Sequence, residues 1–137
     1  MAHPEGDALL RTYKDLKVWR KAFGLCTRVY RVTKAFPAEE RFGLITQARR
    51  CAVSIPSNIA EGYARETTRD YLRFLWIARG SLAELETQLM LSRELAMAPG
   101  DQLSELLADL AEVERMLSAL IRSLQRKSQS ASPRESS

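Results

Sequence analysis

A chain of 137 residues with 45% hydrophobic and 28% charged residues is typical of one soluble domain, which can bury a core without a disulfide or a metal. No apolar run reaches the roughly 20 residues of a membrane helix, and no secretion signal opens the chain, so we expect a cytoplasmic protein without membrane contact and with free thiols at its two cysteines. The formal net charge of +4 is uneven: residues 1–55 carry +6 and residues 56–137 carry −2, which favours an anionic partner.

Four helices are predicted in chain order, separated by short breaks, and Pro37 and the Pro99–Gly100 pair mark two of them. Asp15 is the expected N-cap of the first helix, and Asp101 is the expected cap of the fourth. Thr67, with an aspartate three residues later, resembles a capping box before the third helix. The expected helix bounds are about 15–35, 37–63, 67–97 and 101–127.

The apolar residues of these helices recur at steps of three and four, the period of a helix that buries one face. Because the connections are short, the sequence predicts an all-α fold, an antiparallel up-down-up-down four-helix bundle. We expect the bundle over 13–127, with a flexible segment 1–12 before it and a disordered polar tail 128–137 after it. The clearest apolar series is that of the fourth helix: Leu103, Leu106, Leu110, Val113, Leu117, Leu120 and Leu124.

The first helix carries more apolar surface than one bundle core requires. One apolar series contains Phe23, the other contains Leu25, and the two lie about 100° apart around the helix. In the third helix, Gly80 follows Trp76 on a flank and would permit a close backbone approach. Both flanks could fill the intramolecular core, but large excess apolar surface is uncommon on a monomer, so we expect contacts with another subunit. The expected oligomer interface residues are Val18, Trp19, Leu25, Val29, Trp76 and Gly80.

The sequence offers little for catalysis. His3 is the only histidine, and no glycine-rich phosphate loop, His-x-x-x-His pair or Cys-x-x-Cys motif is present. The carboxylates of the third and fourth helices lack the Glu-x-x-His pairs of a di-iron bundle and are better explained as a solvated face. We therefore expect a protein that is not an enzyme and that has no metal and no cofactor.

Basic residues recur along the first helix at steps of three and four, with only Asp15 to offset them there. A stripe of this kind attracts a phosphate backbone independently of base sequence. The alternative is a solvated face whose charges pair with acids of the fourth helix and serve solubility. The expected nucleic-acid-binding residues, two of which belong to the second helix, are Lys17, Arg20, Lys21, Arg28, Arg31, Arg49 and Arg50.

Pro56 lies inside the second predicted helix, where a proline removes a backbone hydrogen bond. A stripe of polar side chains, including Ser54, Asn58 and Glu61, runs beside it and away from the apolar series. Small polar side chains can bond to backbone groups near the proline or contact another subunit. We interpret the stripe as architecture, and a ligand pocket is the alternative.

Three ordered blocks of the sequence are similar to a known family. They are YKDLKVWRKAF at 13–23, FPAEERFGLITQARRCAVSIPSNIAEGYAR at 36–65, and DYLRFLWIARGSLAELETQL at 70–89. In this order and spacing they resemble the four-helix bundle proteins of the 23S rRNA intervening-sequence family. Phe42 and Cys51 occupy places where tyrosine and alanine are usual, and neither departure damages the match.

The resemblance implies an antiparallel four-helix bundle that assembles as a homopentameric ring and has no known enzymatic activity. A related group, the accessory variability proteins of diversity-generating retroelements, partners a reverse transcriptase and binds nucleic acid. Two functions are therefore expected as alternatives. The first is a nucleic-acid-associated accessory protein, with DNA or RNA and a reverse transcriptase or another protein as partners. The second is an oligomeric scaffold with no nucleic-acid role.

Overall fold

A computed structural model describes residues 10–131 of the chain. All regular structure in this range is helical, with no strand, which confirms the predicted all-α class. Short 3-10 turns precede the first and second helices, at Tyr13–Asp15 and Ala38–Glu40. The four helices are α1 Lys17–Thr33, α2 Leu44–Tyr63, α3 Thr68–Glu94 and α4 Gly100–Ala131.

The four helices enclose one core. α1 contacts α2 and α4, while α3 contacts α2 and α4, so each helix packs against two others. The predicted apolar series of α3 and α4 line this core, and removal of such leucines from water stabilises the fold by about 1.5–3 kcal/mol each. The core residues of α3 are Tyr71, Leu75, Ala78, Leu82, Leu85 and Leu89, and the whole predicted series of α4 is buried with them.

Only one of the two apolar series of α1 faces the core. Val18, Leu25 and Val29 are at most 1% exposed, whereas Phe23 is 51% and Tyr30 is 40% exposed. The expectation that Val18, Leu25 and Val29 contact another subunit is therefore wrong, because the chain's own helices already cover them. The series that contains Phe23 and Tyr30 remains on the outer side of α1.

The start of α1 differs from the prediction. α1 begins at Lys17, and the residue before it, Leu16, makes no side-chain capping bond. Asp15 instead closes a capping box around the preceding 3-10 turn: its carboxylate accepts the N–H groups of Arg11 at 2.9 Å and Thr12 at 3.2 Å. These two backbone donors lower the pKa of the Asp15 carboxyl below its usual range.

The predicted cap of α3 is confirmed, because Thr67 Oγ1 accepts the N–H of Asp70 at 3.1 Å. α3 ends earlier than the expected residue 97. Ala96 adopts a left-handed conformation with a φ of 52°, and the N–H of Met97 returns to the carbonyl of Ser92 at 2.9 Å. This pattern of bonds is a common helix stop, although glycine more often occupies the left-handed position.

α4 begins at Gly100, so Asp101 lies in its first turn and is not its cap. A carboxylate in the first turn still interacts favourably with the helix dipole. α4 continues to Ala131, which makes residues 128–131 helical where a disordered tail was expected. The remainder of that tail, 132–137, and residues 1–9 of the predicted flexible segment lie outside the described residues.

α2 passes through Pro56 without interruption, as predicted. The Ser54 and Ser81 hydroxyls lie 2.8 Å apart and join α2 to α3, and Asn58 Nδ2 donates to the Ser54 carbonyl at 2.8 Å. The carbonyl that lacks a helical donor because of Pro56 is that of Ala52. Asn58 bonds to the carbonyl of Ser54 instead, so its side chain does not replace the hydrogen bond that the proline removes. The contacts favour the architectural interpretation of the stripe over the ligand pocket.

Candidate interaction surfaces

The outer side of α1 and α2 contains an open cleft with a volume of about 610 Å³. Its walls are mainly apolar: besides Phe23 and Tyr30 of α1, Val53 of α2 is 41% exposed. We name it the aromatic cleft. Its principal lining residues are Tyr13, Trp19, Phe23, Cys26, Tyr30, Val53, Pro56 and Ala60.

The aromatic cleft is built by the apolar series of α1 that does not enter the core. The ring of Trp19 lies 5.2 Å from that of Tyr13 and 5.1 Å from that of Phe23, so three aromatic rings form a continuous row. The lining includes Arg31 and Lys34 but no carboxylate. A cleft of this kind can receive an apolar partner surface with a neutral or acidic edge.

The two cysteines lie in different surroundings. Cys26 is half-buried in the aromatic cleft, and burial raises the pKa of its thiol. Cys51 is buried between α2 and α3, with Sγ 3.7 Å from Glu84 Oε2. Burial is also the main reason that the pKa of the Cys51 thiol is raised. Both thiols are free, and of the two only Cys26 lines the cleft.

The structure divides the seven predicted nucleic-acid-binding residues into groups. Lys21 Nζ lies 3.2 Å from a carboxylate oxygen of Glu112, and Arg28 Nε lies 2.7 Å from one of Asp109. Both acids belong to α4, so these two cations pair with the fourth helix in the way that the solvated-face alternative describes.

Two further members of this set have partners close to α1. Arg20 Nη2 lies 3.7 Å from Asp15. Arg49 of α2 donates from Nε to Thr33 Oγ1 at 2.9 Å and from Nη2 to the carbonyl of Tyr30 at 3.2 Å, and its guanidinium lies 4.7 Å from the centre of the Tyr30 ring. Arg49 therefore supplies hydrogen-bond donors to the oxygen atoms of the last turn of α1. This is a structural role, whereas the charge pattern had suggested a contact with phosphate.

The other three members are exposed. Lys17 is the first residue of α1. Arg31 and Arg50 have no carboxylate within 4.0 Å among the residues that the structure describes. The seven side chains thus do not form one uniform surface that is ready for phosphate.

The flank of α3 that was predicted to contact another subunit is open. Trp76 is 46% and Ile77 is 44% exposed, and the guanidinium of Arg79 lies 5.0 Å from the centre of the Trp76 ring. A Cβ added at Gly80 would have no atom within 4 Å, so Gly80 serves no close backbone approach inside the chain. Arg69 and Arg73 recur at helical spacing before Trp76, so the sequence contains a signal for this second basic surface, outside the predicted stripe of α1.

Within residues 10–131, no group of three or more His, Cys, Asp or Glu side chains is placed to hold a metal ion. None of the helices in this part of the chain combines the length and the apolar character that a bilayer span requires.

Comparison with known proteins places the fold and the family. No curated protein matches the chain. The crystal structure of a protein of unknown function from the S23 ribosomal protein family of Bacteroides thetaiotaomicron is similar, with a TM-score of 0.71 and 24% sequence identity over 77% of this chain and 95% of that one. The profile of the 23S rRNA-intervening sequence protein family matches residues 14–119. The chain therefore belongs to the 23S rRNA-intervening sequence protein family.

Proposed function

We propose that the protein is a self-associating helical module that acts by binding and has no catalytic activity. The observation that carries this proposal is the aromatic cleft, in which Phe23, Tyr30 and Val53 are each at least 40% exposed and line one surface. Contiguous exposed apolar surface on a protein marks interaction sites. A second copy of the chain is the proposed occupant, and the family resemblance makes a homopentameric ring the expected assembly.

The proposal includes the up-down-up-down arrangement of the helices. Contacts between α2 and α3 support it, because Cys51 meets Glu84 while Ser54 meets Ser81, so residue numbers rise along one helix as they fall along the other. The ion pairs between α1 and α4 follow the same reversed order. Opposite directions of neighbouring helices are usual where the connections are short.

Light scattering of the purified chain at micromolar concentration tests the self-association. We expect a mass several times the 15.5 kDa of one chain. Phe23→Glu places a charge in the cleft and should shift the mass towards that of the monomer. Phe42→Glu is the matched control, because Phe42 is 82% exposed and lies outside the cleft. It should leave the mass unchanged.

A monomeric wild-type protein would contradict self-association. Equal masses for the two glutamate variants would contradict the cleft as the interface. An oligomeric wild-type protein would then have to associate through another surface. A dimer would contradict the pentameric ring but not the role of Phe23. Far-ultraviolet circular dichroism of both variants verifies that the helices are retained.

As a second candidate, we propose association with DNA or RNA, alone or together with a protein partner such as a reverse transcriptase. Arg31 and Arg50 support it, because they are exposed and have no carboxylate within 4.0 Å in the described part of the chain. The support is narrower than the sequence indicated, since at least four members of the stripe, Arg20, Lys21, Arg28 and Arg49, have partners within the protein. Replacement of Arg20, Arg31 and Arg50 together by glutamine tests the candidate: a steep loss of affinity for nucleic acid would support the α1–α2 face as the contact, and an unchanged affinity would contradict it.

A further inference from the structure

The charges of α3 and α4 are sorted along the sequence. Residues 84–114 contain eight carboxylates and a single arginine. Residues 115–131 contain four cations and no carboxylate, and the segment Thr68–Arg79 contains three arginines against one aspartate. The count over residues 56–137, which gives −2, conceals this separation because the acidic segment outweighs the basic ones.

The α4 part of the acidic segment pairs with α1. Glu112 and Asp109 hold Lys21 and Arg28 of α1. The stripe on α1 is thereby partly neutralised. The first part of α3 and the last part of α4 together carry seven cations against one aspartate, so they form a second region of excess positive charge besides that of α1 and α2.

These two basic segments border one groove. Arg69, Arg73, Trp76 and Ile77 of α3 line an open depression of about 1050 Å³ together with Ser128 of α4. A second depression between the same helices begins one turn further along α3, at Arg79, and reaches Glu86 of the acidic segment. The groove is therefore lined by arginine and by one large exposed aromatic ring.

α4 contributes arginines to the same groove. Arg115 lines the second depression with Arg79 and Glu114, and Arg79 Nε lies 3.7 Å from Glu114. Arg122 follows Arg115 by seven residues, which places it on the same side of α4, one step closer to Ser128. Arg122 is exposed and, among the described residues, has no carboxylate within 4.0 Å. We name the whole surface the Arg–Trp groove: Arg69, Arg73, Trp76, Arg79, Arg115 and Arg122.

Gly80 keeps the ring of Trp76 accessible. A helical side chain covers the surface towards the N-terminus of its own position, so a residue at 80 would extend over the turn that contains Trp76. Glycine leaves this space empty, at a cost of about 1 kcal/mol relative to alanine in a helix. The guanidinium of Arg79 lies 5.0 Å from the centre of the indole ring, close enough to stack on it or to approach a bound phosphate.

We propose that the Arg–Trp groove binds single-stranded nucleic acid, with a base stacked on Trp76 and phosphates held by the arginines of α3 and α4. Single strands are the form whose bases are free to stack on a side chain, and arginine with exposed aromatic rings is the chemistry of such sites. The charge matches: the groove carries five arginines against three lining carboxylates, of which Asp70 and Glu114 each contact an arginine and Glu86 lies at its acidic end. This surface is separate from the aromatic cleft and does not depend on self-association there.

A fluorescence titration of the full chain tests the groove with three labelled probes: oligo-dT and oligo-U of about 12 nucleotides and a DNA duplex of the same length. Each is measured at about 50 and 200 mM salt. We expect both single strands to bind and the duplex to bind more weakly. Trp76→Ala should lower the affinity for the single strands about 5- to 100-fold, whereas Trp76→Phe, which keeps a stacking face, should retain most of it.

Two glutamine triples separate this groove from the α1–α2 face. Replacement of Arg69, Arg73 and Arg122 should lower the slope of log affinity against log salt by about 2, since each lost phosphate contact on a single strand removes about 0.7. The triple of Arg20, Arg31 and Arg50 removes the same charge elsewhere and should have less than half this effect. Equal effects of the two triples would overturn the assignment to the groove.

Three other results would also overturn the proposal. One is the absence of single-strand binding at the lower salt concentration. Another is competition by poly-glutamate for the bound single strand that is as strong per charge as competition by unlabelled oligo-dT. If Trp76→Ala also leaves the binding of poly-glutamate unchanged, the groove would fit an acidic protein partner instead. The third is a lower mass of Trp76→Ala in light scattering, because Trp76 would then be a subunit contact. An unchanged mass with weakened single-strand binding supports the groove whatever the role of the aromatic cleft.

Discussion

Gly62 lies where α2 and α3 come close together. A Cβ at this position would be 2.9 Å from Phe74 Cβ and 3.1 Å from the carbonyl oxygen of Tyr71, neither of which is the end of a flexible side chain. Gly80, in the middle of α3, would meet no atom within 4 Å. At the residue scale, two helical glycines thus have opposite reasons to be present: one permits helix packing, and the other leaves a surface open.

The matched pair Gly62→Ala and Gly80→Ala tests this difference. Gly62→Ala should lower the free energy of unfolding by about 1–3 kcal/mol, because the added methyl group forces the helices apart. Gly80→Ala should raise it by up to about 1 kcal/mol through helix propensity alone. Urea unfolding followed by circular dichroism measures both. A stabilising Gly62→Ala would show that the helices can separate there without cost.

The adjacent residues Arg49 and Arg50 show the limit of sequence reasoning about single side chains. Both are arginines on α2, and the charge pattern assigned them the same role. Arg49 bonds to the last turn of α1 through Thr33 and Tyr30, while Arg50 is exposed. Only the position of α1 beside α2 distinguishes them, and this position is a tertiary property that no local spacing contains.

At the element scale, apolar periodicity was sufficient to predict the four helices, including the continuity of α2 through Pro56. It was not sufficient to choose between the two apolar series of α1, since both have helical spacing and only the packing against α2 and α4 buries one of them. The cap at Thr67 was predictable because its bond is local, whereas the failure of Asp15 as a cap followed from the preceding 3-10 turn, which periodicity cannot detect.

Pro56→Ala tests whether α2 needs its proline. Alanine restores an N–H that can donate to the Ala52 carbonyl, a gain of about 0.5–1.5 kcal/mol. It also gives the unfolded chain more freedom, which costs about 0.4–1 kcal/mol. We expect the free energy of unfolding to change by less than about 1 kcal/mol and the helical circular dichroism to stay the same. A loss well beyond this range would mean that the neighbouring helices require a bend at Pro56.

At the scale of the whole molecule, the two candidate surfaces lie on different helix pairs and have different chemistry. The aromatic cleft of α1 and α2 is apolar and suits a second copy, while the Arg–Trp groove of α3 and α4 is cationic and suits phosphate. From the sequence alone, the cationic and the apolar contact residues are both expected on α1. The ion pairs of α1 with Asp109 and Glu112 offset part of the charge of α1, whereas the arginines beside Trp76 lie on the other helix pair.

Cys26 provides the most direct measurement of whether a second copy covers the aromatic cleft. In a Cys51→Ser variant, Cys26 is the sole thiol and lines the cleft. Burial raises the pKa of this thiol, so its reaction with an alkylating reagent becomes faster as the pH rises above the usual thiol range, and all rates are compared at one alkaline pH. With the reagent in large excess, the alkylation rate should fall several-fold as the protein is concentrated from the nanomolar to the micromolar range, because assembly covers the cleft. An alkylation rate that is independent of protein concentration, measured where light scattering reports an oligomer, would contradict the cleft as the subunit interface.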